Sequence, residues 1–356
     1  MAAPTTTSPV KFLPLGAIIQ SFIIGGRDVV LGFPEQNHYQ DVLHPYFGET
    51  IGRVPNRISN GKLENLNGKD YEFAKNERNI TTLHGGIVGW GKKRWTGPIA
   101  VTRNKKTALL FMLHSPDGDE GFPGAVEARI WYSVSTNARD DDENSGAKEM
   151  VDLDVEYEIE MVGSEADEPD IWETVASLTN HGYWNLTDGP TVSGTEITFA
   201  SNLHLQVDED QIPTGRVLPL EGVDVEKPIL FTEEGPAIDH CFVLDQDITQ
   251  VPLDTRSRPL HKCVSMYHPG TKLHLVVETT EPSFQFYSGD GIDVPKVGLA
   301  DGRVGVPKRV PRSGIAVEPN RYVDAVNRPE WRSLVLLKRG VVWGCRNRYR
   351  VWADDQ

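Results

Sequence analysis

Cysteine is scarce in this 356-residue chain: Cys241, Cys263 and Cys345 are scattered and odd in number, with no CxxC pair among them. That pattern argues against a disulfide framework and fits buried thiols in a reducing compartment. Long apolar runs are also missing, so no stretch approaches the ~20 residues of a membrane span. The opening "MAAPTTTSPVKFLPLGAIIQSFIIGG" has no basic region before its apolar part, which Gln20 and Ser21 interrupt, and this argues against a secretory signal. A cytoplasmic protein is expected. Basic charge is in deficit: 36 Lys and Arg stand against 51 Asp and Glu, for a formal net charge of -15. Nucleic acid, whose binding rests on clustered cations against phosphate, is thereby disfavoured as a partner. Arg346, Arg348 and Arg350 alternate with polar and aromatic residues and read instead as a strand with one solvated face.

Helical periodicity is absent as well. No stretch longer than about ten residues keeps a 3.6-residue period, while 33 glycines and 24 prolines punctuate the whole chain. What is present is strand signal. In "VDLDVEYEIEM" (151–161) apolar and acidic residues alternate at period two, predicting a strand with one wet face. β-Branched and aromatic runs recur at 107–113, 128–134, 203–207, 272–280, 283–288 and 333–338. Asn67-Gly68 lies between two such runs and predicts a hairpin, because both residues tolerate positive φ. The acidic, turn-rich segment 135–149 reads as a surface loop at another hairpin. Length alone would allow two or three domains, but no linker or fixed-period repeat divides the chain. The expected fold is all-β: one large antiparallel β-sandwich domain spanning 1–356.

Several chemical motifs fail on inspection. "GGIVGWGKK" has phosphate-loop spacing, but Lys93 stands where Ser or Thr is needed and no helix pattern follows. No G-x-S-x-G elbow occurs. His261, Cys263, His268 and His274 match no zinc spacing, and strand alternation would disperse them. Three segments remain: "TTLHGG" with His84, "TNHGYWNL" with His181 and "GIAVEPNRYVDA" with Glu318. In the last, Glu318 alternates with Ile315 and Val317, so it points to the face opposite that apolar pair, at a strand end that Pro319 terminates. A carboxylate placed there could act as a base, and a histidine could move a proton, bind a metal or fill a hydrogen-bonded slot. Taken singly, each of these residues is as well read as structural.

Together the segments carry more. "PYFGETIGRVPNRISNGK", "LHGGIVGWGKKRW", "HSPDGDEGFPGAVEARIWYSV", "LTNHGYWNL", "QVDEDQIPTGRV", "DHCFVL", "FQFYSGD" and "GIAVEPNRYVDAVNRP" stand in this order. The chain, from about residue 14 to 351, resembles the aldose 1-epimerase (galactose mutarotase) family. The resemblance implies the galactose mutarotase-like supersandwich and interconversion of the α and β anomers of an aldohexose such as galactose or glucose, with no cofactor and no metal. Carried over position by position, Glu318 resembles the general base and His181 the general acid. His84, Asn56, Arg57, Asp239 and Gln285 resemble the sugar-binding residues, and Trp184 or Phe286 is a candidate to lie against the sugar's apolar face. Pro319-Asn320 follows the glutamate where Thr-Gln or Pro-Gln is commoner, and Trp184 stands where Phe is commoner.

The implied chemistry suits these residue types. Ring opening needs a base on the C1 hydroxyl and an acid at the ring oxygen, roles for which a carboxylate and an imidazolium with pKa near working pH each supply about 10²–10⁴-fold. The implied partner is a monosaccharide. Alternatives are a hexose-6-phosphate epimerase and a noncatalytic sugar-binding protein on the same fold.

Overall fold

The alternating segment forms the strand Ala147–Met161, paired antiparallel with Val126–Asn137 on one side and Val342–Asp354 on the other. The computed structural model describes residues 8–41, 46–137, 147–163, 170–299, 302 and 304–354. These three long strands centre a nine-stranded antiparallel sheet. Its order runs Pro228–Leu230, Glu196–Phe199, His261–His268, Leu273–Thr279, Val342–Asp354, Ala147–Met161, Val126–Asn137, Lys106–Ser115 and Thr96–Arg103. A six-stranded antiparallel sheet runs Tyr183–Trp184, Ile315–Asn320, Ser283–Tyr287, Asp239–Val243, Leu203–Val207 and Pro213–Pro219. Among the described residues the one α-helical segment is His38–Asp41.

The two sheets are packed face to face because each strand presents alternate residues inward. Val151, Val155, Ile159, Leu275, Val277 and Tyr349 of the large sheet share a core with Phe242, Phe284, Phe286, Ile315 and Val317 of the smaller one. Trp184 stacks on Tyr349 with ring centroids 5.1 Å apart, joining the sheets directly. The all-β antiparallel expectation holds. So does the hairpin: Leu66 pairs with Lys69 across Asn67 and Gly68, whose φ values are 51° and 73°.

Four details differ from the sequence reading. The acidic face of Ala147–Met161 is not simply wet, since Asp152 and Glu156 are buried under arginines. Asp152 and Asp154 lie directly across from Arg350 and Arg348 and accept from them at 2.7 and 2.6 Å. Glu158 accepts from Arg129 at 2.8 Å. Cross-strand pairing of opposite charges converts a solvated face into a lattice of ion pairs. Second, 333–338 is not one strand: Arg332–Leu334 is a 3-10 turn and only Leu336–Lys338 is extended, paired with Glu173–Val175. Third, Pro319 does not end its strand, which continues to Asn320. Tyr183–Trp184 pairs only with Ile315 and Ala316, so beyond them that edge of the strand has no ladder for proline to interrupt. Fourth, the ends of segment 135–149 are strand, with Asn137 paired to Met150; residues 138–146 of the expected loop lie outside the described residues.

The ends of the two strands that carry Gln285 and Glu318 are anchored together. Glu281 and Arg321 are both fully buried, with Oε2 and Nε 2.6 Å apart. The Arg321 guanidinium also donates to the carbonyls of Pro252 and Leu253, and Thr255 Oγ1 donates to Glu281. Removing one partner strands a buried charge, so Arg321→Leu is expected to cost about 3–5 kcal/mol in urea unfolding, most of it recovered in the double variant Arg321→Leu/Glu281→Met. A single variant as stable as the parent refutes the anchor.

Candidate active site

The outer face of the six-stranded sheet, away from the shared core, bears the polar residues. Phe284 and Phe286 alternate with Gln285, and Ile315 and Val317 with Glu318, so the two polar residues emerge side by side in register. Tyr287 pairs with Asp239 on the next strand, which brings the Asp239 carboxylate to Gln285. Together they floor a cavity of about 320 Å³.

Two loops wall it. Arg57–Ile58 pairs with Thr82–Leu83, and just outside this short ladder Asn56 and His84 interlock. His84 N donates to Asn56 O at 2.9 Å, and Asn56 N donates to His84 Nδ1 at 3.3 Å. Both residues hold positive φ, 57° and 53°, an uncommon conformation concentrated at functional positions. Gly85, at φ 81°, completes the turn; a Cβ there would stand 2.0 Å from Gly52 O, so "LHGG" needs its first glycine. His181 is set by backbone bonds on both sides, its N donating to Glu49 O at 2.8 Å and its O accepting from Gly48 N at 3.0 Å.

All seven residues singled out from the sequence line this one cavity: Asn56, Arg57, His84, His181, Asp239, Gln285 and Glu318. All seven fall in two hydrogen-bonded or paired groups, His84 through its bonds to Asn56. Arg57 Nη1 donates to Asn56 Oδ1 (3.3 Å), Asn56 Nδ2 to Gln285 Oε1 (3.1 Å), and Gln285 Nε2 to Asp239 Oδ1 (2.6 Å). This chain fixes which end of each amide faces inward. His181 Nε2 stands 3.5 Å from Glu318 Oε1, both side chains nearly inaccessible. Among the described residues Glu318 Oε2 has no hydrogen-bond partner.

Burial governs the proton affinities here. It pushes Glu318 well above the ordinary carboxylate range, helped by the negative charge of Asp239 and opposed by Arg57. Asp239 is raised too, mainly by burial. Burial depresses His181 to about 3. The sequence reading, with both groups near working pH and the histidine already charged, is therefore corrected: with both side chains nearly inaccessible, neither member favours charge. Burial thus favours the neutral form of each, a protonated carboxyl beside an uncharged imidazole.

The aromatic candidates are corrected as well. Trp184 and Phe286 are fully buried on the core side of their strands, one against Tyr349 and the other 4.8 Å from Phe199. Their sequence neighbours Tyr183 and Tyr287 face the cavity instead. Tyr183 stacks on His181 at 4.9 Å, and Tyr46 stacks on its ring at 5.6 Å while meeting His84 edge-on at 4.6 Å. Strand alternation could have found Tyr183 and Tyr287. Tyr46 lies within the "PYFGET" motif without being singled out, and nothing in the sequence marks Glu77, which clamps Arg57 with two 2.8 Å bonds. The four residues weighed as metal ligands are scattered: Cys263 is buried in the core, His261 is exposed, His268 bonds Thr271, and His274 bonds Asp354.

The same arrangement of strands is found in solved structures. An aldose epimerase homologue from C. elegans superposes with a TM-score of 0.73 at 21% identity, over 98% of this chain and 96% of that one. A galactose 1-epimerase from Lactobacillus acidophilus gives 0.71 at 17% identity, over 98% and 91%. At these identities the likeness is one of fold. In sequence, the chain is 36% identical to the bifunctional protein gal10 of Schizosaccharomyces pombe over 97% of its own length. It spans only 44% of that relative, less than half. It is 34% identical to the galactose mutarotase of Homo sapiens, over 88% of this chain and 80% of that protein. A model of the family described as aldose 1-epimerase matches residues 4–350. With that match and these relatives across nearly its whole length, the chain belongs to the aldose 1-epimerase family.

Proposed function

We propose that the chain interconverts the α and β anomers of a free aldohexose, galactose or glucose, by acid–base ring opening and closure. The observation that carries the reading is the 3.5 Å approach of Glu318 Oε1 to His181 Nε2 at the floor of a cavity of monosaccharide size. Relatives named galactose mutarotase support galactose. Each step conserves protons. The pair's proton shifts from Glu318 to His181 as the polar sugar enters; Arg57, whose charge already lowers the Glu318 affinity, favours that direction. The carboxylate takes the proton of the C1 hydroxyl, C1=O forms, the bond from C1 to the ring oxygen breaks, and His181 protonates that oxygen. Rotation about C1–C2 and the reverse transfers close the other anomer. Asn56, His84, Asp239 and Gln285 bind hydroxyls, and Tyr183, Tyr287 and Tyr46 enclose the ring.

The cavity also bears on the phosphorylated alternative. Beside Glu318, whose carboxyl favours its neutral form, its lining holds Asp239 and Asp293 and, among described residues, one permanent cation, Arg57, already committed to Glu77. A phosphate would meet repulsion. A noncatalytic sugar-binding role leaves the buried proton-sharing pair without a purpose. The reading treats the chain as one domain, supported by the core shared between its sheets, and as cytoplasmic, supported by its three free, buried cysteines. Among described residues no helix is long and apolar enough to cross a membrane. Polarimetry on freshly dissolved α-D-galactose, α-D-glucose and glucose 6-phosphate tests it: free sugars are expected to be equilibrated at least about tenfold faster than the phosphate ester. Calorimetric sugar binding without acceleration would overturn it.

A further inference from the structure

A second cavity, about 440 Å³ in volume, opens beside the first. It lies against the back of the active cavity's wall. Leu31, which lines it, donates its N–H to Tyr183 O at 2.9 Å, and Arg309 exchanges both backbone hydrogen bonds with Val294, at 2.9 and 2.8 Å. Tyr183 and Val294 line the active cavity.

Arg309 sets this cavity apart. Arg129, Arg256, Arg312, Arg321 and Arg350 each hold a carboxylate, and the buried Arg53 donates to the carbonyls of Pro123 and Gly124 and to Ser115. Arg309 is half-buried, yet among the described residues its guanidinium has no hydrogen-bond or ion-pair partner, and its Nε is buried unpaired. Burial works against its charge, which the negative charge of Asp28 on the same lining partly offsets. The second cation on the lining, Lys11, is exposed. The one carboxylate there, Asp28, accepts the backbone N–H groups of Phe22 and Val30 at 2.9 and 3.3 Å. The neutral polar groups are engaged: Gln20 donates to the carbonyls of Phe33 and Pro34, and Asn185 to Ser313 O. What remains is a guanidinium with a buried, unpaired Nε on the lining of a roomy polar space, a donor set matched to an oxyanion.

We propose that this second cavity binds a phosphate group, free or carried on a small metabolite, through the Arg309 guanidinium with Lys11 at its mouth. The charge balance is opposite to that of the active cavity, so the two sites sort phosphorylated from unphosphorylated ligands. The contacts through Leu31–Tyr183 and Arg309–Val294 place the bound anion one backbone layer from the sugar.

Calorimetric titration at low ionic strength, with inorganic phosphate and separately with glucose 6-phosphate, tests the site without any readout of sugar turnover, so its outcome is separate from that of the anomerase reading. Saturable one-to-one binding is expected, weakened about tenfold or more by Arg309→Gln and unchanged by Arg57→Gln, the cation of the other cavity. Lys11→Glu changes an exposed side chain that folding does not depend on, and it is expected to weaken binding as well. Tighter binding of the ester than of phosphate identifies a metabolite as the natural ligand, and equal binding identifies phosphate itself. Absence of saturable binding, equal affinity in Arg309→Gln and Lys11→Glu, or loss in Arg57→Gln would each overturn the proposal.

Discussion

Glu318→Gln is expected to lose about 10²–10⁴-fold in kcat for galactose anomer exchange while sugar binding is largely kept. The amide fills the same space and can still hydrogen-bond, but it cannot take the C1 hydroxyl proton. Binding rests on the Arg57–Asn56–Gln285–Asp239 chain, which the substitution leaves in place. The pH profile offers an independent readout. Burial and Asp239 hold the Glu318 proton affinity well above the carboxylate range, so the free enzyme is protonated there at a pH where an ordinary carboxyl is ionised. The proposed steps need the pair's single proton, and that proton is lost as pH rises through the raised value. In the parent kcat/KM should therefore decline on the alkaline side of that raised value, and in Glu318→Gln that limb should vanish. A folded variant with the parent rate removes Glu318 from the chemistry.

The second large effect belongs to His181→Asn, with a loss again on the order of 10²–10⁴-fold because the leaving ring oxygen would depart without a proton. Stability should move the other way at low pH. Burial depresses this imidazole to about 3, so as pH falls below the usual 6.5 the unfolded chain binds a proton that the folded chain refuses. The residue's contribution to stability is full above the unfolded value and declines on acidification toward about 3. His181→Asn should consequently flatten the acid side of the stability curve while abolishing turnover. Only a histidine held neutral by its surroundings produces both changes; full mutarotation by the folded variant would refute its role as proton donor.

Much of this was legible in the residues themselves. Period-two alternation located the long central strand and turned Glu318 away from Ile315 and Val317, and Asn67-Gly68 marked its hairpin. Alternation failed where the partner was remote in sequence. The acidic stripe of 151–161 reads as solvated until Arg348 and Arg350 arrive across the sheet. The run 333–338 has strand composition, but its first half tightens into a turn that packs Leu334 into a satellite core. At the site, the polar residues came from a motif-level resemblance, whereas Tyr46 lies unmarked within its motif and Glu77 in ordinary surroundings, and both acquire meaning only through rings and carboxylates brought beside them. The aromatic candidates Trp184 and Phe286 each stand one residue from the cavity-facing Tyr183 and Tyr287, which on a strand means the opposite face. Proton affinity was the least accessible quantity, because desolvation is a property of the packed cavity and has no signature in local sequence.

The order of strands in the two sheets has a bearing on colloidal behaviour. The outermost strands of the nine-stranded sheet, Thr96–Arg103 and Pro228–Leu230, carry Pro98 and Pro228, and the terminal strand Pro213–Pro219 of the smaller sheet begins and ends in proline. A border residue without an N–H offers a broken template to any incoming extended chain. A protein built almost wholly of ribbons thus guards its selvages against fibril growth.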